Sequence, residues 1–238
     1  MKLKKRPEIP PCETCAARYK SIFCNLSIEE IDKLSLSKGC AYYKKDQIIF
    51  RAEAYPHGLF CINRGKVKIS KIGNEGKEQI VRLAREGDIL GYRSLLSGEQ
   101  YTASAFALEE TDICYIPKET FFQILENNAT LSIQFMKLLA FDLKEAEEKI
   151  INLAQKPVRE RLAEALLFLK NIYGLEEDQK TLKVSMKRED IANIAGTSVE
   201  STIRTLSEFN KDGLIKIEGK KIKLLELKEL LLTANTLD

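Results

Sequence analysis

The sequence predicts an α+β protein built from an N-terminal antiparallel β-roll, one long helix and a C-terminal winged helix-turn-helix. Three observations carry that prediction. Short runs of alternating apolar residues, separated by glycine-containing turns, fill the stretch from Ala41 to Pro117, the pattern of many short strands closing into a small antiparallel barrel or roll. An apolar stripe stepping by three and four residues runs from Met136 to Leu153. Met186 to Leu224 then reads as helix, glycine turn, capped helix and hairpin. The implied domains are 1–125, 126–155 and 156–238.

Composition bounds the rest. At 238 residues, 44% hydrophobic and 31% charged, the chain makes one or two globular domains. A net charge of +3 is too small to imply nucleic acid by itself. No apolar run approaches the ~20 residues of a membrane span. The basic start MKLKKRPEIPP lacks the apolar core of a secretory signal. A cytoplasmic protein is expected, in which six cysteines serve as thiols or metal ligands rather than structural disulfides. One histidine leaves little material for histidine catalysis, and no enzymatic motif is present.

The first forty residues hold a C-x2-C pair, Cys12 and Cys15, with Cys24 after eight intervening residues. Such a pair lets two thiolates reach one metal centre or form a redox couple; a ligand-free terminal pair or a zinc clip is the plainer alternative. Lys4, Lys5, Arg18 and Lys20 nearby would favour thiolates. Ser27 opens a short helix, with Glu30 completing a capping box. Strand runs follow at Gln47–Phe50, Leu59–Ile62, Val67–Ile69, Ile80–Leu83, Ala103–Ala107 and Ile113–Ile116, with turns at 63–65, 73–76, 86–88 and 97–98. Cys61 and Cys114 fall inside these runs and Cys40 just before one, each at first reading a small buried hydrophobe.

Thr120–Asn127 is a short helix, and Ala129 to about Ala154 a long one. Met136, Leu139, Leu143, Ala146, Ile150 and Leu153 step by 3,4,3,4,3, the seam of a two-stranded coiled coil that a parallel homodimer would bury. A helix packed on its own roll shows a similar stripe, but the strict spacing favours a partner helix. Pro157 marks a hinge, and Val158–Tyr173 is a further amphipathic helix capped by Gly174.

In the C-terminal stretch, Ile191, Ala192, Ile194 and Ala195 mark a helix that Gly196 ends. Thr197-Ser198-Val199-Glu200 has capping-box form, with Thr197 as N-cap. Val199, Leu206 and Phe209, with Thr202 or Ile203 between, give the second helix its apolar face. Strands Leu214–Ile217 and Lys221–Leu224 form the wing. From Lys180 to Lys223 there are ten Lys/Arg against six Asp/Glu, with Lys216, Lys220, Lys221 and Lys223 in the wing, a surplus suited to phosphate contacts. A winged helix-turn-helix with this charge points to DNA, its second helix entering the major groove.

GDILGY (Gly87–Tyr92), ICYIP (Ile113–Pro117), ERLAEALLFL (Glu160–Leu169) and REDIANIAGTSVESTIRTLSEFNKDGLI (Arg188–Ile215) resemble the Crp/Fnr regulators, a resemblance covering nearly the whole chain. It implies a cyclic-nucleotide-binding-like roll and a homodimer that binds a palindromic promoter site and contacts RNA polymerase. The cyclic-AMP receptors of the family keep a Glu and an Arg-Ser pair for the nucleotide. The matching positions here are Tyr92, Tyr101 and Thr102, where a cyclic phosphate would be buried unpaired, so cyclic AMP is not expected.

The Fnr branch holds an oxygen-labile 4Fe-4S cluster on three N-terminal cysteines and one from the roll. By that resemblance Cys12, Cys15, Cys24 and Cys114 are the ligands. The best-known members have five residues between the second and third ligands where this chain has eight; a longer loop closes at small entropic cost. Thiol redox, zinc, or a small ligand in the roll remain the alternatives. The resemblance also assigns base readout to Glu200 and Arg204, the family's E-x-x-x-R. Arg204 suits guanine O6/N7 and Glu200 suits cytosine N4; an i,i+4 ion pair is the structural alternative. Ile203 touches a thymine methyl or takes Thr202's place in the core. Ser201 and Lys187 are candidate phosphate contacts, with Thr197 and Ser198 beside them at the helix start.

Overall fold

The structure, a computed structural model, describes residues 10–73 and 76–235. Lys4, Lys5 and the centre of the turn expected at 73–76 lie outside them. In chain order, a 3-10 turn at Cys12–Thr14 is followed by α1 (Ala16–Tyr19), α2 (Ile28–Ser37), β1 (Gly39–Tyr43), β2 (Ile48–Phe50), β3 (Gly58–Arg64), β4 (Lys66–Ile72) and β5 (Glu78–Arg85). Next come β6 (Ile89–Leu90), α3 (Tyr92–Ser97), β7 (Ser104–Ala107), β8 (Thr111–Pro117), α4 (Lys118–Asn127) and α5 (Ala129–Gln155). The chain continues through α6 (Val158–Tyr173), α7 (Arg188–Ala195), α8 (Val199–Lys211), β9 (Ile215–Glu218), β10 (Lys221–Leu224) and α9 (Leu227–Thr233).

Two compact units result, one up to Ile69 plus Arg82–Phe141, the other Ser70–Val81 plus the chain from Asp142 onward. The roll consists of two four-stranded sheets, ordered β1-β8-β3-β6 and β2-β7-β4-β5. Alternation shows in β7, where every second residue is sealed from solvent, while β8, between β1 and β3, is buried on both faces over its first four residues. One core joins Leu59, Ile89, Ile116, Phe121 and Phe135 to Phe23, Leu26, Ile31 and Leu34 of the N-terminal segment. The cysteine-bearing segment is therefore docked by its own apolar residues, Phe23 lying 6.3 Å ring to ring from Phe135. The Ser27/Glu30 capping box forms as expected, with Glu30 N–H donating to Ser27 Oγ and Ser27 N–H to the Glu30 carboxylate.

Several expectations are corrected. β1 begins at Gly39, so Cys40 lies within a strand and is exposed rather than a buried hydrophobe. Helix α3 interrupts the run of strands, and α9 follows the wing. The N-cap of α8 is Ser198, whose Oγ accepts from the Ser201 N–H at 3.1 Å. The Thr197/Glu200 capping box does not form, because the turn ends one residue later than its sequence form suggested. Val199 is exposed instead of core-facing.

In the second unit Leu162, Leu166 and Leu169 of α6 are fully buried, and Gly174 ends that helix with its N–H on the Lys170 carbonyl. Gly196 caps α7 at φ +62°, the left-handed backbone that glycine adopts without strain. A Cβ there would crowd the Leu153 Cδ2 methyl, the far end of a side chain that can turn aside, so the backbone conformation is what favours glycine.

Candidate nucleic-acid interface and candidate metal centre

Helix α8 divides cleanly. Thr202, Thr205, Leu206 and Phe209 face inward, while Glu200, Ile203 and Arg204 face solvent. The open choice between Thr202 and Ile203 thus falls on Thr202 as the core residue, wholly buried, with Ile203 50% exposed. Glu200, released from capping, stands one turn from Arg204 on the exposed side. Ser201 is half-buried, and its hydroxyl lies 3.0 Å from Ser198 Oγ, so these two serines are partly spent on the helix start. Thr197 is half-buried, and Lys187 is the exposed N-cap of α7.

The wing is less freely basic than its sequence. Lys216 meets Glu218 at 3.1 Å, Lys221 meets Glu176 at 2.8 Å, and Lys223 meets Glu218 at 3.3 Å and Asp178 at 3.8 Å. Hydrogen bonds from Lys216 and Lys223 hold the Glu218 carboxyl below its ordinary range. Arg188 donates to the Gly219 carbonyl at 3.1 Å, tying α7 to the wing turn.

On α5 the expected seam splits. Met136, Leu143 and Ile150 are 60%, 62% and 65% exposed, and Ala146 and Leu153 are also exposed. Leu139 instead packs partly on the roll core. A helix of 27 residues that leaves this stripe in solvent has an unburied apolar face.

The cysteines converge only in part. A cavity of about 50 Å³ is lined by Cys12, Cys15, Cys61 and Cys114, with Lys38, Asn63 and Phe23 among the rest. Cys24 is not in that lining, whereas Cys61, read from sequence as core, is. Among the described residues no three acidic, cysteine or histidine side chains stand in metal-holding proximity. Asn63 Nδ2 donates to Cys15 Sγ at 3.3 Å. Burial, with the Cys40 thiol beside it, pushes Cys114 up to about 12, and burial drives Cys61 well up.

Nearby cations play other parts than expected. Arg18 is buried, and its guanidinium donates to the carbonyls of Cys12 (2.7 Å), Phe23 (3.2 Å) and Cys24 (3.1 Å). It therefore shapes the loop that carries three cysteines. Lys20 pairs with Glu86 at 2.7 Å. The cation at the thiols is Lys38. Burial disfavours its charge, but the Cys12, Cys114 and Cys40 sulfurs outweigh that and hold its ammonium above the ordinary range. The strand boundary hid this: Lys38 reads in sequence as an unremarkable helix end.

The roll has a second cavity, about 510 Å³, lined by Tyr92, Tyr101 and Thr102 together with Arg82, Arg93, Ser94 and Glu99. Tyr101 stacks on Phe50 at 4.2 Å, and Arg82 donates to the Tyr92 hydroxyl at 2.7 Å. The matched positions carry no guanidinium, as the sequence indicated, yet two arginines reach the cavity from β5 and α3.

Comparison with known proteins agrees with this arrangement. Residues 41–128 match the cyclic nucleotide-binding domain and residues 160–232 the Crp-like helix-turn-helix domain. The fold and its exposed recognition helix define a DNA-binding transcriptional regulator, not an enzyme. The transcriptional activator protein Anr of Pseudomonas aeruginosa is 30% identical over 224 residues, covering 92% of this chain and 90% of that protein. The fumarate and nitrate reduction regulatory protein of Vibrio cholerae is 30% identical over 222 residues, covering 92% and 88%. FixK2 from Bradyrhizobium japonicum shares the fold, with a TM-score of 0.74 at 22% identity over 82% of this chain and 96% of that one. This chain belongs to the Crp/Fnr family of transcriptional regulators. Among its described residues no helix is long and apolar enough to cross a membrane.

Proposed function

We propose that this protein is a cytoplasmic, homodimeric regulator that binds an inverted-repeat promoter site and senses oxygen or redox state through a cysteine-held 4Fe-4S cluster. The observation that carries the reading is the convergence of Cys12, Cys15 and Cys114 on one cavity beside Lys38. The names of its relatives, among them an anaerobic regulatory protein of Aggregatibacter actinomycetemcomitans, point the same way.

The donor chemistry fits such a group: thiolates are the ligands iron–sulfur clusters take. The cavity is small, with room for only a few waters; Cys12, Cys15 and Cys114 of its lining would hold the group. Cys24 adjoins Phe23, which lines the cavity, and is the fourth ligand on this reading. A bound cluster supplies an oxygen-labile redox centre. The chain's own part is mechanical. Arg18 holds the Cys12 and Cys24 ends of the loop, Phe23 seats it on the core with Phe135, and a shift of that core reaches the exposed seam of α5. Paired α5 helices then set the two α8 helices one helical turn apart on DNA. Arg204 and Glu200 read bases, and Ile203 meets a thymine methyl. Ser201, Lys187, Thr197 and Ser198 flank the phosphates. The DNA-bound dimer contacts RNA polymerase, as the family resemblance implies.

The test is iron and acid-labile sulfide on anaerobically purified protein, beside Cys114→Ser, Cys24→Ser and Cys61→Ser. Wild type is expected to hold about four of each per chain, with loss in the Cys114 and Cys24 variants and retention in Cys61→Ser. Iron-free wild type would remove the cluster. A second reading, a small-ligand sensor that does not take cyclic AMP, is favoured by the 510 Å³ cavity with its two arginines.

A further inference from the structure

The first roll sheet carries a row of three cysteines. Its register sets Cys40 opposite Cys114, and Cys114 opposite Cys61, so all three side chains stand on one face. Cys40 and Cys114 bring their Sγ atoms to 3.6 Å. Opposed residues of antiparallel strands have Cα atoms about 4.5–5.5 Å apart, inside the roughly 4.4–6.8 Å that a disulfide spans. The register thus places the pair in the range disulfides span, with the two sulfurs already at 3.6 Å. β1 is the edge strand of its sheet, and Cys40 is exposed where Cys114 is buried. A soluble reagent meets Cys40 first.

We propose that Cys40 and Cys114 form a reversible cross-strand disulfide whenever Cys114 is not otherwise engaged, with a low-molecular-weight disulfide of the glutathione type as oxidant. The Cys40 sulfur attacks one sulfur of that oxidant, breaking its S–S bond and expelling one thiolate. Cys114 then attacks Cys40 Sγ in the mixed disulfide and expels the second. Two protein thiols lose two electrons and two protons. The oxidant's two sulfurs gain them and leave as two thiols. The bond takes Cys114 out of the ligand set and shields it from irreversible oxidation, until a dithiol returns it. That consequence rests on Cys114 being a ligand; the disulfide itself does not.

The full chain, purified in air and shown to be iron-free, is incubated with oxidised glutathione, trapped with N-ethylmaleimide and mapped by peptide mass. The expected product is a Cys40–Cys114 cross-linked peptide pair that dithiothreitol removes, absent from a folded Cys40→Ser variant. Separate glutathione adducts on both residues, both thiols trapped as maleimides, or a Cys61–Cys114 link would each overturn the proposal. The readout does not depend on iron, so it stands apart from the cluster measurement. Where the wild type does load iron, oxidised protein should recover loading only after reduction, while oxidised Cys40→Ser loads without it.

Discussion

Leu153 stands against Gly196: its Cδ2 methyl lies close beside the position a Cβ on that residue would take. The last seam residue of α5 is thereby also the floor of the helix-turn-helix glycine turn, with Arg161 donating to the Gly196 carbonyl at 3.2 Å. Gly196→Ala should destabilise the protein by about 1–2 kcal/mol from the left-handed backbone, the Leu153 methyl turning aside at little further cost. A thermal melt of the variant reads this. An unchanged midpoint would show that the turn relaxes at no cost.

Thr202 should respond in the opposite direction. Its hydroxyl is wholly buried, with no hydrogen-bond partner among the described residues, a burial that costs roughly 1–3 kcal/mol. Thr202→Val keeps the shape and removes the polar atom. The melting midpoint should rise while DNA affinity stays unchanged, since this residue lies on the face of α8 turned away from solvent.

Base readout is tested on the exposed face. Arg204→Ala should weaken binding to an inverted-repeat site by about 1–3 kcal/mol, the worth of a bidentate guanine contact, and abolish preference at one symmetric pair of positions. Electrophoretic mobility shifts on a panel of half-site variants read it. If Arg204→Ala discriminates as wild type does, the arginine is not the reader. Ile203→Ala should relax preference for thymine more weakly.

The proposed dimer is tested on the exposed stripe. Leu143→Glu with Ile150→Glu places charges in a would-be a/d seam. If the proposed seam holds a dimer, sedimentation should show a dimer for wild type and a monomer for the variant, with the helical circular-dichroism signal retained. A wild-type chain that sediments as a monomer at every concentration would remove the seam.

Acid stability has a local source at Asp178. It accepts from Thr181 Oγ1 at 2.6 Å, Thr181 N–H at 2.8 Å and Lys180 N–H at 3.0 Å, and these bonds bring its carboxyl from 3.8 to about 2. A folded-state value below the unfolded one favours the fold above about pH 4 and loses that contribution as pH falls through about 2. Unfolding followed from pH 5 to pH 2 should be steeper in wild type than in Asp178→Asn. Equal slopes would show that the turn does not feel the charge.

Much of this was legible in the sequence because periodicity and caps are local. The 3,4 stripe, the Ser27/Glu30 box, Gly174 and Gly196 all report on residues within a turn or two of themselves. Strand pairing is not local. Cys40, Cys61 and Cys114 sit far apart in the chain, and only the β1-β8-β3 order lines them up. The same holds for Arg82 and Arg93, which enter the roll cavity from elements that no motif connects. Arg18 shows a further limit: in sequence it is a cation near thiols, but three carbonyls claim its hydrogen bonds.

The ion pairs in the wing bear on how the protein meets a polyanion. Lys216, Lys221 and Lys223 already have carboxylate neighbours, so a phosphodiester approaching them displaces one anion in favour of another. Far fewer condensed cations are set free from the duplex than the lysine count alone implies. Lys220, with no ion pair to a carboxylate among the described residues, is the wing cation whose contribution to the ionic-strength dependence of binding would not be offset in this way.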